Sequence, residues 1–405
     1  MIAADAESTK SPAKPPHWRR HLFRIYLPVL GALVTIVTVV ALAVSLTGQA
    51  HSKPTKHTSS PTPIAQPVQT NKQGVYPGPE TINGVIPNND HPQTLDPSLV
   101  RRADGKLFLY TTAKNGSVWT ADSLYGPWTH QGIAKLPENG GAPSIQKVDD
   151  TYYMFYNNHE FKYSSIGVKN SAAATWNHGS SLLVASSKTL EVGSWQQHGR
   201  LPIDWSENYN QLDATLLQVQ GANNKRQLLF SFGSYQQGIY QIPMADPPIK
   251  LADNAMQSIT HLANNQTSGW PSGPTEGAFT FQHGEFYYLF FSSGRCCVQP
   301  KTKTWLDVGD VYKVMVCRSK NPRSGYVDKA GRSCADASGG TQILASHGNI
   351  WAPGGQGVMN DDEAGGPMIY YHYVPYDQKT KTPAKKYQFG WNKLNFDSGW
   401  PVVVQ

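Results

Sequence analysis

The chain has 405 residues, a net charge of +7, and 39% hydrophobic and 11% aromatic residues; that length holds one large all-β domain or two medium ones. The charge is uneven: residues 1–75 carry eight Lys or Arg against Asp5 and Glu7, or +6, which leaves +1 for residues 76–405. A nearly neutral globular part excludes a phosphate-binding groove, so nucleic acid is not an expected partner.

The N-terminal elements read as topogenic. Residues 1–24 form a basic tail containing Arg19, Arg20 and Arg24. Ile25 to Ala50 contain no charged side chain, and a span of about 20 apolar residues crosses a bilayer as a helix. The positive-inside rule then places the N-terminus in the cytosol and the bulk of the chain outside. The expectation is a type II signal anchor, with a secreted form if the chain is instead cleaved after Ala50. Residues 51–74, rich in Ser, Thr, Pro and Gln, read as an extended linker.

From Val75 to the C-terminus one phrase comes round five times: GKLFLYTT from Gly105, DTYYMFYN from Asp150, RQLLFSFG from Arg226, GEFYYLFF from Gly284 and GPMIYYHY from Gly366. Each is a polar or glycine turn followed by aromatic and aliphatic strand formers. Repetition of this kind predicts an all-β, five-bladed β-propeller over 75–405, at about 66 residues per blade. Most of the 20 Tyr and 11 Trp are then expected to pack between blades, while a minority could offer flat faces to sugar rings. The repeats lack the GH and WD signatures of an interaction propeller. Long stretches near 159–210 and 244–275 read as insertions able to close one end of a cleft.

Before each phrase lies a shorter strand: LDPSLV, APSIQ, LDATLL, TEGAFTF and GQGVMN. The first strand of a blade lines the central channel, so Asp96, Asp213 and Glu276 should converge on one mouth. Hydrolysis of a glycosidic bond by inversion needs a carboxylate to deprotonate water and a carboxylic acid to protonate the leaving oxygen, about 6.5–9.5 Å apart. A third carboxylate nearby holds the acid protonated by like-charge repulsion. Asp204 and Glu207 read as a solvated loop before Asp213, and Asp361, Asp362 and Glu363 as an exposed acidic turn.

Cys296, Cys297, Cys317 and Cys334 lie within 39 residues. They are expected to staple one blade in an oxidising compartment, with three pairings open. The vicinal pair lacks the CxxC spacing of a metal site. Sequons at Asn115 and Asn265 agree with export and suggest a glycoprotein.

The phrases LDPSLVRRADGKLFLYTT, NQLDATLL, PTEGAFTFQHGEFYYLFFSSGRCC, SHGNIWAPGGQGV and YYHYV together resemble glycoside hydrolase family 43, in its fungal endo-1,5-α-L-arabinanase-like branch. The resemblance covers Val75 to Gln405. It implies that Asp96 is the general base, Glu276 the general acid and Asp213 the group that raises the pKa of Glu276 and orients it. The substrate implied is α-1,5-linked arabinan or a related hemicellulose or pectin side chain. SFGSYQQGIYQIP resembles the family's GSFWxGI stretch and makes Tyr235 a sugar-stacking candidate; Trp351 and His372 are further cleft candidates. The chain departs from the family at Leu95, where many members have His, at Ser144 in GAPS for WAPD, and at Asp213, where LDA replaces IDP. It also reads GGQG for GPGH, so Gln356 stands where a His helps hold calcium in many bacterial members. No cofactor is required on this view, and calcium at Gln356 stays open. The expectation is a monomeric, inverting, endo-acting hydrolase. The alternatives are an exo-acting arabinofuranosidase or xylosidase on the same scaffold, and a non-catalytic carbohydrate-binding propeller.

Overall fold

The structure is a computed structural model that describes residues 76–82, 94–112, 116–136, 140–159, 180–221, 224–266, 274–296, 306, 308–384 and 386–405. The expected tail, membrane span and linker, and the Asn115 sequon, lie outside the described residues. Among the described residues no helix is long and apolar enough to cross a membrane.

Five antiparallel sheets follow one another along the chain, each built from consecutive strands. Blade 1 holds Ser98–Arg101, Leu107–Thr111, Ser117–Ala121 and Thr129–Ile133. Blade 2 holds Gly140–Val148, Thr151–His159, Ser180–Ser187 and Gln196–Arg200. Blade 3 holds Thr215–Gln220, Arg226–Phe232, Ile239–Met244 and Thr260–Ala263. Blade 4 holds Thr275–His283, Phe286–Ser293, Lys313–Ser319 and Thr341–Leu344. Blade 5 holds Ile350–Asp361, Gly366–Asp377, Gln388–Asn395 and Val402–Val404, with Thr382–Pro383 added beside its second strand. The repeated phrases are the second strands, and the acid-bearing phrases lead into or form the first.

Side chains alternate across a strand, and in the second strands both faces are apolar because both are covered. Phe108 and Tyr110 pack with Tyr152, Met154 and Tyr156 of blade 2. Their neighbours Leu107 and Leu109 point the other way, onto Met368, Tyr370 and Trp391 of blade 5. The same division gives a core between blades 2 and 3 around Phe155 and Phe230. Others form between blades 3 and 4 around Leu262 and Phe291, and between blades 4 and 5 around Phe290 and Tyr371. Five seams for five blades close the ring into a propeller. Each fully buried large apolar side chain contributes about 1.5–3 kcal/mol, and the largest fully buried ones are all aromatic, among them Trp119, Trp391 and Tyr110.

Polar contacts seal the seam between blades 5 and 1. Arg101 clamps Asp361 through Nε at 2.6 Å and Nη2 at 3.0 Å, and reaches Glu363 at 2.8 Å. Asp361 is only 4% exposed, so the expected exposed acidic turn is in part a buried ion pair. The segment 76–80 straps this region: the Glu80 N–H donates to the Trp391 carbonyl at 2.9 Å, and Asn392 Nδ2 to the Gly78 carbonyl at 2.7 Å.

Two further expectations change, and the expected stapling of one blade is seen. The supposed insertion at 159–210 contains the third and fourth strands of blade 2, and the one at 244–275 contains a 3-10 turn, Ala255–Ser258, and the outer strand of blade 3. Cys317, on the third strand of blade 4, and Cys334, in the loop to its fourth strand, form a disulfide. Cys296 is disulfide-bonded as well, and Cys297 lies outside the described residues. Asn265 is fully buried, with its amide donating to the carbonyls of Ser338 and Gly339 and accepting from Ser293. That amide has no room for a glycan.

Candidate active site

Just ahead of or within each first strand, one residue that lines the channel has a left-handed backbone. The residues are Asp96 (φ 48°), Ala142 (φ 44°), Asp213 (φ 53°), Gly277 (φ 65°) and Gly355 (φ 57°), one per blade. All five line a single cavity at the centre of the ring. Non-glycine residues adopt this conformation rarely and at a cost of about 1–3 kcal/mol. Its fivefold recurrence is the mark of the propeller; its occupation by Asp in blades 1 and 3 is the mark of a site. Glu276 stands one residue ahead of its blade's left-handed position, so it is not strictly equivalent to the two aspartates.

Asp96 is held from two sides. Thr112 Oγ1 donates to its Oδ2 at 2.7 Å, and the Asp96 N–H donates to His372 Nδ1 at 3.1 Å. Thr112 also accepts the Ala142 N–H at 2.8 Å, which ties blade 2 to the same point. Burial pushes the Asp96 carboxyl up to about 6, against the Thr112 bond that favours its charged form.

Glu276 is 7% exposed. Ser234 Oγ donates to its Oε2 and the Tyr312 hydroxyl to its Oε1. Burial raises its carboxyl to about 7; the two hydroxyls oppose the rise, and the charge of Asp96 adds to it. Asp213 accepts the Gly277 N–H at 3.1 Å. Burial, then the charges of Glu276 and Asp96, push Asp213 well above the carboxylate range. Asp213 and Glu276 share their protons, and their macroscopic titrations belong to the pair.

The other candidates are placed as follows. Tyr235 is half-buried in the loop after the second strand of blade 3, and its N–H donates to the Thr275 carbonyl at 3.2 Å. Burial and the charges of Glu276 and Asp213 raise its phenol, while Arg295 opposes them. Trp351 stacks on Tyr376 with ring centres 5.2 Å apart and packs beside Tyr312 and Val311. His372 is fully buried, stacked 5.8 Å from Tyr312, with burial lowering its pKa to about 3. A neutral imidazole that accepts at Nδ1 carries its proton on Nε2, and it reaches the site through Asp96. Asp204 and Glu207 are exposed.

Gln356 donates from Nε2 to the Gly277 carbonyl at 2.6 Å and accepts at Oε1 from Ser292 Oγ at 2.8 Å. It is a brace between blades 4 and 5. Calcium needs six to eight oxygen ligands, and the Gln356 oxygen already accepts a bond. Among the described residues no three His, Cys, Asp or Glu side chains gather in a metal-holding group. The donor set does not fit calcium.

Thr112, Ser234, Ser292 and Tyr312 were not singled out by sequence. Thr112, Ser292 and His372 do carry a signal, because each is a polar residue interrupting or ending a second-strand apolar run close to the channel. Tyr312, in DVYKVMV, carries none.

The family described as Glycosyl hydrolases family 43 matches residues 135–401. The chain is 41% identical over 320 residues to arabinan endo-1,5-α-L-arabinosidase A of Aspergillus aculeatus, covering 76% of this chain and 90% of that protein. It is 38% identical over 341 residues to the probable arabinan endo-1,5-α-L-arabinosidase C of Aspergillus oryzae, covering 81% and 95%. Among solved structures it resembles an endo-arabinanase from Bacillus licheniformis, with TM-score 0.61, 21% identity and coverage of 80% and 99%. It also resembles an exo-1,5-α-L-arabinanase from a bovine ruminal metagenomic library, with TM-score 0.60, 23% identity and coverage of 77% and 97%. The two structures support the fold.

Proposed function

This chain belongs to glycoside hydrolase family 43, and we propose that it cleaves α-1,5-linked L-arabinan internally, with inversion. One observation carries the mechanism: carboxyl groups from blades 1, 3 and 4 meet at one mouth of the propeller, and each is held in a different environment. The endo-arabinanase relatives, aligned over nine-tenths or more of their length, support the substrate and the internal mode.

Asp96, accepting from Thr112 and anchored through its backbone on His372, takes a proton from the attacking water. Glu276, with its carboxyl raised to about 7, donates a proton to the departing arabinosyl oxygen. Asp213 grips the peptide after Glu276, and the two carboxyl groups, which cannot both ionise freely, keep a proton between them. Water adds to the anomeric carbon as the glycosidic bond breaks on the opposite face, so the configuration inverts. Burial of Glu276 keeps competing water off its carboxyl group, whereas the Asp96 side chain, 29% exposed, stays open to the attacking water.

The compartment belongs to the same proposal. The uncharged segment 25–50, its flanking arginines and the Cys317–Cys334 disulfide support a type II anchor with the propeller outside the cell, working as a monomer. Protease treatment of intact cells should release the propeller; resistance to it would place the domain inside.

The decisive experiment is product analysis after incubating the full chain with linear α-1,5-arabinan, beside Glu276→Gln. Oligosaccharides from the wild type, with a loss of about 10²–10⁴ in turnover for the variant, are expected. Arabinose as the sole product would replace endo by exo action, and unaltered turnover in the variant would remove Glu276 from the acid role.

A further inference from the structure

Toward the end of each second strand, or just past it, one residue lies across from the residue that precedes the blade's left-handed position. Asn157 pairs with Gly141, Ser292 with Glu276 and His372 with Gly354. In blades 1 and 3 the Thr112 and Gly233 N–H groups donate to the Leu95 and Leu212 carbonyls, each at 2.9 Å. Thr112, Asn157, Gly233, Ser292 and His372 are therefore equivalent, one per blade. Residues two apart on a strand share a face, so each of them faces the seam with the next blade. Thr112 follows Phe108 and Tyr110, which face blade 2. Ser292 follows Tyr288 and Phe290, which face blade 5, and His372 follows Met368 and Tyr370, which face blade 1. Asn157 follows Tyr153 and Phe155, which face blade 3.

In three seams this side chain accepts the N–H of the next blade's left-handed residue. Thr112 Oγ1 takes that of Ala142 at 2.8 Å, Ser292 Oγ that of Gly355 at 3.0 Å and His372 Nδ1 that of Asp96 at 3.1 Å. In the seam between blades 3 and 4, Gly233 has no side chain, and Asp213 takes the Gly277 N–H instead, at 3.1 Å. The remaining seam joins blade 2 to blade 3, where the left-handed residue is Asp213 itself. Here both halves of the latch are present and unused. Asn157 is 2% exposed, and its amide oxygen has no partner among the described residues. The Asp213 N–H makes no hydrogen bond among them either. A buried acceptor left unmet is costly, and hydrogen bonds in an active site are commonly long or misaligned until substrate binds.

We infer that Asn157 is the positioning residue of Asp213: its amide oxygen is the acceptor for the Asp213 N–H in the substrate complex, and it closes this seam as Thr112, Ser292 and His372 close theirs. Through Asp213 the hold extends to the Gly277 peptide, and so to Glu276. Asn157 touches no reacting atom. The inference rests on the hydrolase reading above and adds a residue that the reading does not use.

The test is the full chain and its Asn157→Ala and Asn157→Ser variants, beside Asp213→Asn, assayed on linear arabinan for kcat, KM and the pH–rate profile. Misplacement of about 1 Å can cost ~100-fold in rate, so Asn157→Ala should lower kcat by about tenfold or more with KM little changed. A looser Asp213 shares its proton less with Glu276, so the alkaline limb should move down, in the direction of Asp213→Asn. Asn157→Ser should recover most of both effects, because a hydroxyl serves at the equivalent Thr112 and Ser292. A limb that moves in Asp213→Asn but stays in place in Asn157→Ala would overturn the latch and leave the hydrolase reading standing; a merely structural loss gives that result, since it changes only the amount of folded enzyme. A raised KM with kcat and the limb unchanged would also overturn it and reassign the amide to a sugar hydroxyl. A wild type inert on arabinan would overturn both the latch and the reading it rests on.

Discussion

The Gly277 N–H donates to Oδ2 of Asp213 at 3.1 Å, so a carboxyl group of blade 3 grips the peptide immediately after Glu276, the proposed general acid on blade 4. Proton sharing and position are therefore supplied by one side chain, and they can be separated. Asp213→Asn keeps an acceptor for Gly277 and removes one carboxyl of a pair that cannot both ionise freely, so the upper titration of the pair should fall and the alkaline limb of the pH–rate profile should move down by about one unit. Asp213→Ala loses both and should lower kcat further at every pH. Profiles of the two variants that coincide would show that only one of the functions is real.

The wild-type profile itself follows from the two environments. Asp96 must be ionised, and its carboxyl sits at about 6, so activity falls as pH drops through that value. Glu276 must be protonated, and it sits at about 7, so activity falls as pH rises through it. The expected kcat/KM curve is a narrow bell with its maximum between the two. A plateau extending above pH 9 would contradict a free-enzyme acid with this pKa.

Tyr312 donates to Glu276 and thereby favours the charged carboxylate. Removing that hydroxyl in Tyr312→Phe leaves burial less opposed. A hydrogen bond to a charged group is worth about 1.5–3 kcal/mol, so the alkaline limb should move up by about one unit or more. The sign is opposite to that for Asp213→Asn, and a downward shift would show that Tyr312 acts on another group.

Gly355 tests the support of the base. A Cβ there would lie 2.6 Å from His372 Nδ1 and 3.3 Å from Asp96 Oδ1, at φ +57°. Gly355→Ala should displace the acceptor of the Asp96 N–H, and misplacement of about 1 Å can cost ~100-fold in rate. A loss of tenfold or more in kcat, with the melting temperature lowered by only a few degrees, is expected. Full activity would mean that the His372–Asp96 contact does not matter.

Local pattern made the blades legible. A second strand covered on both faces must be apolar throughout, so GKLFLYTT and its four counterparts stand out in the bare sequence. The two aspartates were legible because each follows Leu and stands two residues ahead of a strand. Glu276 was found by order among the repeats, and its offset from the left-handed position was not foreseen, since backbone conformation is hidden in a residue name. Asp361 was misjudged because its partner, Arg101, lies 260 residues away.

The amino-acid sequence alone determined the number of blades, the family and the three carboxyl groups, because these depend on short-range alternation and on residue types at strand starts. Tertiary structure alone decided the roles of Thr112, Ser234, Tyr312 and His372, the loss of a glycan site at Asn265, and the brace that Gln356 makes. Each of these depends on contacts between different blades or distant loops. Such contacts set the burial and hydrogen bonding that tune a carboxyl group, and they exist only once the ring has closed.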